Sequence, residues 1–283
     1  MNRETWLLWL LADSQLPTGG FVASAGLEAA MQAGLVRESA LDTDRDSFVE
    51  FIRRSTQNQV RFALPFCSQT YEQISEQVSG HLTHTMQDGG SARADNDDSA
   101  IEAILHRFAA IDDHHHAMVS SNSVAMRASV AQGGGLLSLF NRGYAQATFM
   151  ADARGQLCVA VAKRLQRLSR LSKIRAHWPT VFGFVCVALG IGLEHAQQLY
   201  MFQFVRQIFS AAIRLNLVGP LRAQALECDM QQLVDTLLAR YAHLRVAFET
   251  MDDMLGESAV YTEPILELFQ GMHDRLYSRI FNS

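Results

Sequence analysis

Through most of the 283 residues, apolar positions recur three and four apart and hardly anywhere alternate every second residue. With only five prolines to interrupt it, this pattern predicts an all-α chain, a single-domain helical bundle over residues 1–283. The opening "WLLWLLA" predicts a first helix. Further on, Ile101, Leu105, Phe108, Ile111, His115 and Met118 fall on one side of a second long helix. From Glu194 to Leu217 two adjacent faces are apolar: Tyr200, Phe204, Ile208 and Ala212 on one, Met201, Val205, Phe209 and Ile213 on the next. Such a helix is buried on most sides, and its polar remainder, Arg206, Ser210 and Arg214, lines up at four-residue spacing. Pro264 suits the first turn of a last helix, which is expected to bury Ile265, Phe269, Met272, Leu276 and Ile280.

Between Ser75 and Ser99 the apolar residues thin out, and "QDGGSARADNDDS" cannot pack a core. The segment 75–99 is therefore expected to be a flexible polar insertion within the one domain.

Composition narrows the function. The net charge is −5 with both signs interspersed, which leaves no basic face for nucleic acid. The four cysteines, Cys67, Cys158, Cys186 and Cys228, lie far apart and form no C-x-x-C, so neither a zinc site nor a disulfide framework is written; the spacing suits a reducing cytoplasm. The longest apolar run, Val181 to Leu193, is shorter than the roughly 20 residues of a membrane span. Glu4, Asp13 and Pro17 break any signal-peptide pattern in the opening helix. A protein working in the cytoplasm, without membrane or nucleic acid, is expected.

Candidate chemistry centres on "LADSQLPTGGFVASAGLEAA", residues 11–30. A phosphate loop needs a Lys followed by Ser or Thr, and no Gly-Lys occurs in the chain. A nucleophile elbow needs Gly two residues before the serine, whereas Val22 and Ala23 precede Ser24. What remains is a turn: Pro17 fixes φ, Gly19 and Gly20 permit unusual backbone angles, and Ser24 can cap a helix that ends at Gly34. The run "DDHHH" offers metal-ligand types. On a helix, Asp112, His115 and His116 are i, i+3 and i+4 neighbours, and His114 points away. His115 also lies on the apolar stripe, so a packing role competes with ligation. Arg206 and Arg214 could clamp an anion or pair with acids across a protein interface. The tail "DRLYSRIFNS" places Tyr277, Arg279 and Phe281 close enough to enter one pocket together, with Ser278 a further candidate contact, and Tyr and Arg are frequent interface anchors. Closure of the chain's own core by Ile280 and Phe281 is the competing reading.

Three ordered blocks resemble the urease accessory protein UreF family: "LLADSQLPTGGFVASAGLEAA", "HWPTVFGFVCVALGIGLEHAQQLYMFQFVRQIFSAAIRLNLVG" and "MHDRLYSRIFNS". The resemblance implies an all-helical homodimer with no enzymatic activity and no firmly bound cofactor. It implies a bridge between the accessory protein UreD, also called UreH, and the GTPase UreG, in a complex that delivers nickel to apo-urease. GTP then belongs to UreG, and the absence of a phosphate loop here agrees. The turn with Asp13, Ser14, Pro17, Gly19 and Gly20, the arginines Arg206 and Arg214, and the tail become candidate partner-binding residues, the tail toward UreD/UreH. The alternative implied function is a nickel carrier using Asp112, His115 and His116. Two departures stand out: Ala23-Ser24-Ala25-Gly26 replaces the His-Ser-Gly-Gly of many relatives, and only Gly219-Pro220 and Gln224 remain of a Gly-Gln-Thr element.

Overall fold

The computed structural model describes residues 1–13, 15–37, 46–87, 93–246 and 258–283. Among them the regular structure is helical, with one isolated bridge between Arg245 and Ser258 as the nearest approach to a strand. The chain runs α1 (Arg3–Ala12), α2 (Leu27–Gln32), α3 (Ser47–Phe62), α4 (Leu64–Gln87), α5 (Arg93–Val119), α6 (Ser123–Arg142) and α7 (Ala153–Arg170). It continues through α8 (Trp178–Leu189), α9 (Leu193–Arg214), α10 (Pro220–Tyr241) and α11 (Pro264–Gly271). The caps follow local chemistry: the side chains of Asn2, Asp46, Asn122 and Asp152 accept backbone amides of the first turns of α1, α3, α6 and α7. Pro220 and Pro264 occupy first-turn positions whose missing N–H costs nothing.

The larger core gathers around α4 and α8. Every residue of α8 from Pro179 to Leu189 is buried, which explains why its sequence is apolar throughout except at Thr180. Gly183 sets how closely the two helices meet, because a Cβ there would lie 2.4 Å from the Cys67 carbonyl oxygen. The α5 stripe lies as expected, with Ile101, Leu105, Phe108, Ile111 and His115 all buried. A second core joins α2, α3, α9 and α10 around Phe48, Phe209 and Leu27. The helix α9 belongs to both, with Tyr200 and Met201 in the first and Val205, Ile208 and Phe209 in the second.

The segment 75–99 differs from expectation. It is helical from Ser75 to Gln87 as the end of α4, and from Arg93 to Ser99 as the start of α5, with 88–92 outside the described residues. Ile74, Val78 and Leu82 form a narrow stripe at four-residue spacing that docks on the larger core, enough to hold a helix whose average composition is polar. His81 Nε2 meets Asp97 Oδ1 at 2.8 Å across the hairpin, and Arg164 of α7 engages Asp98 and Glu102.

The chain's last helix is also shorter than its apolar pattern implies. After α11 comes a 3₁₀ turn at His273–Arg275 and then extended chain, leaving Ile265, Met272 and Ile280 exposed.

Candidate functional site

The turn, the tail and the end of α9 assemble into one unit. Asp13 ends α1 and its carboxylate accepts the Gln15 amide at 2.9 Å. Ser14 lies outside the described residues. Pro17 and Gly19 are exposed, whereas the backbone of Thr18 rests on α6, where a Cβ on Gly135 would come within 2.9 Å of it. Of the glycine pair only Gly19 uses the left-handed region, at φ 83°; Gly20 has ordinary backbone and room for a side chain. The first turn of α2 begins after Gly26, and Ser24 is not its side-chain cap. The Ser24 hydroxyl instead donates to the Ser283 carbonyl oxygen at 3.0 Å.

That bond is one of a set that fastens the tail. The Asn282 amide donates to Val22 O at 2.8 Å, and Gln32 Nε2 to Ser278 O at 2.9 Å. At the centre lies Glu28, a buried carboxylate on α2 that accepts the amides of Ile280 (2.6 Å) and Phe281 (3.1 Å) and faces His273 Nε2 at 3.1 Å. Such charge-assisted bonds are what allows a carboxylate to stay in an apolar setting. Arg214 completes the unit: it donates to Phe21 O, and its guanidinium lies over the rings of Phe21 (3.9 Å) and Phe281 (4.2 Å).

Phe281, expected to anchor a partner, is buried in the second core of its own chain. Its apolar ring closes that core while Ile280 points outward, so the two candidate core residues of the tail divide. Tyr277 is fully exposed and Ser278 and Arg279 are exposed in part, the last pairing with Asp274 at 3.2 Å. Arg206 does not sit free as an anion clamp; it pairs with Glu227 of α10 at 2.8 Å. The solvent side of the unit therefore presents Phe21, Val22, Tyr277, Ser278, Arg279 and Ile280, supported from beneath by Glu28, Arg214 and Phe281.

The second candidate constellation is rearranged. Asp112 is buried and capping: its carboxylate accepts the amides of Arg175 (3.0 Å), Ala176 (2.7 Å) and His177 (2.8 Å) and the Thr180 hydroxyl (2.7 Å), ahead of the first turn of α8. With those lone pairs engaged, Asp112 is not a metal ligand. His115 packs against Phe62 and Phe66, as its place on the stripe predicts. The partner that sequence spacing missed is His177, whose ring lies 4.6 Å from His115 and 5.4 Å from His116. Burial pushes His177 down to about 4 and His115 well below the usual imidazole range. Among the described residues no group of three or more His, Cys, Asp or Glu side chains converges to hold a metal ion.

Comparison with known proteins settles the family. The UreF family model matches residues 43–231, well over half of the chain. The chain belongs to the UreF family. It is similar to urease accessory protein 6 of Cryptococcus neoformans, 27% identical over 311 positions that cover 99% of this chain and 98% of the relative. Urease accessory protein F of Oryza sativa subsp. indica is 28% identical, covering 99% and 86%, and that of Arabidopsis thaliana 29%, covering 98% and 92%. Membership in UreF supports a role in urease maturation. No helix among the described residues is long and apolar enough to cross a membrane.

Proposed function

We propose that this UreF-family chain is a non-catalytic scaffold of urease maturation. In this reading it works in the cytoplasm as a homodimer, binding UreD (UreH) and the GTPase UreG so that nickel passes to apo-urease with GTP hydrolysed by UreG. The observation that carries the reading is the joining of turn and tail on α9: the blocks at the two ends of the sequence are bonded through Ser24, Glu28 and Asn282, with Arg214 of the middle block between their rings. Three sequence blocks that carry the family resemblance thus build one surface, and its exposed Tyr277 and Arg279 are residue types that anchor interfaces. A rigid support under an exposed aromatic is the arrangement of a docking site.

Copurification of the chain with UreD/UreH and with UreG, with and without GTP, tests the proposal. Tyr277→Ala with Arg279→Ala is expected to lose UreD/UreH while the chain keeps its melting temperature. Retention of both partners by that double variant would remove the tail from the interface.

A further inference from the structure

The histidines that the scaffold reading leaves unused form a second feature. His116 Nδ1 of α5 and His177 Nε2 at the start of α8 face each other at 3.2 Å. Two imidazole nitrogens at this distance share at most one proton between them. The spacing is also that of two ligands on one ion: with metal–nitrogen bonds of about 2.0–2.1 Å in tetrahedral arrangement, the nitrogens stand roughly 3.3 Å apart.

We propose that His116 Nδ1 and His177 Nε2 form a two-imidazole site for a divalent first-row transition ion, with water completing the ion's shell. Imidazole suits nickel, zinc and copper. The protein holds His177 as it would hold a ligand. Its Nδ1 faces Ser129 Oγ at 3.1 Å, and that hydroxyl also accepts the Trp178 amide at 3.1 Å, which fixes the ring and leaves Nε2 directed at His116. Asp112 grips its backbone amide, and the missing side chain of Gly133 gives it room, since a Cβ there would lie 2.0 Å from Ala176 O and 2.8 Å from His177 C.

A second, independent observation points the same way. His115 is buried with Nδ1 unpartnered beside His177, and it lines an open-mouthed pocket of about 150 Å³ together with Ser129, Gln132, Asn58 and Gln59. His116 and His177 do not line it, but His115 and Ser129, which do, both contact His177, so a pocket of that size with polar groups in its wall admits water beside the pair. For the ion to enter, the proton between the two facing nitrogens moves from His116 Nδ1 to Nε2 of the same ring, and the freed Nδ1 pair goes to the metal. His116 is half-buried, which leaves an entry. Two protein ligands make an exchangeable site, unlike the closed four-ligand shell of structural zinc.

The site deepens the urease-maturation reading by giving this chain direct contact with the metal cargo, yet its test needs no partner and no urease. Tag-free full-length chain is dialysed against Ni²⁺ at graded concentrations. One saturable equivalent per chain is expected, absent in His116→Ala and in His116→Gln, weakened about 10- to 100-fold in Ser129→Ala, and unchanged in His195→Ala, a surface histidine held by Glu4. Melting temperatures of the two His116 variants are measured beside the binding to establish that they fold. No saturable equivalent in the wild-type chain, or one that survives both His116 variants, makes the pair a hydrogen bond only and overturns the proposal. Neither result alters the copurification experiment, so the two readings fail separately.

Discussion

The carboxylate of Glu28 accepts the backbone amide of Phe281 at 3.1 Å across 253 residues of sequence, and both residues are buried. The bond joins the second helix of the fold to its final residues, and the Ile280 amide at 2.6 Å makes the grip two-pronged. Glu28→Ala strands two amide donors and the imidazole of His273. Hydrogen bonds to charged groups contribute about 1.5–3 kcal/mol each, with incomplete additivity, so a loss of about 2–4 kcal/mol is expected. Thermal and urea unfolding measure it. A change below about 0.5 kcal/mol would show that the tail adds nothing to the fold.

Removing residues 277–283 and substituting Tyr277 should have different consequences. The truncation deletes Phe281 from the second core and should lower stability by about 3–5 kcal/mol as well as abolish docking. Tyr277→Ala removes only an exposed ring, so its unfolding should stay within about 0.5 kcal/mol of wild type. Size exclusion and circular dichroism on both proteins, run beside the UreD/UreH copurification, separate lost folding from lost binding.

The two turn glycines are expected to respond unequally. Gly19→Val forces a β-branched residue to φ 83°, which costs on the order of 1–3 kcal/mol, whereas Gly20→Val meets only ordinary contacts with Gln207 and Gln132. Urea midpoints of the single variants provide the comparison; equal effects would contradict the backbone assignment. Ala25 supplies a converse case. It stands at φ 52°, a backbone region that glycine adopts without the strain a Cβ brings, and Ala25→Gly should gain up to about 1 kcal/mol.

Acid should destabilise the chain through His177. Its folded value is depressed to about 4, chiefly by burial, with Asp112 opposing and His116 and Arg175 adding to the depression. The unfolded chain therefore binds the extra proton first, so stability is intact above about 6.5 and declines as pH falls from there toward 4. The decline should reach a few kcal/mol at most, and His115, also pushed down by burial, adds in the same direction. Urea unfolding at pH 7.5, 6 and 5 reads it, and His177→Gln should flatten the slope even where it lowers the plateau.

How far the sequence reveals this molecule depends on the range of the interaction involved. The stripe from Ile101 to His115 and the two faces of α9 were legible because a 3.6-residue period leaves local evidence of burial. The hairpin of α4 and α5 was not, since Ile74, Val78 and Leu82 are a sparse stripe diluted by polar neighbours. At the site, the exposed Tyr277 and the turn at Pro17 and Gly19 could be named in advance. Glu28 could not, although a carboxylate flanked by Leu27, Ala29 and Ala30, all buried, is the kind of misfit that signals a long-range partner. His177 lies 61 residues from His116, and no spacing rule relates them. Asp112 shows the converse: its spacing to His115 fits a ligand set, yet its oxygens are used as the cap of a helix far along the chain.

The bond between Glu28 and the tail also sets a timetable for synthesis. At about 5–20 residues per second, the 253 residues that separate Glu28 from Phe281 occupy the ribosome for on the order of 10–50 s. Throughout that interval α2 has its carboxylate but not the amides that satisfy it, and the second core lacks the ring of Phe281. The face offered by Phe21, Tyr277 and Ile280 thus forms only after both segments have been made, and a partner that recognises it would pass over nascent chains that have not yet reached residue 281.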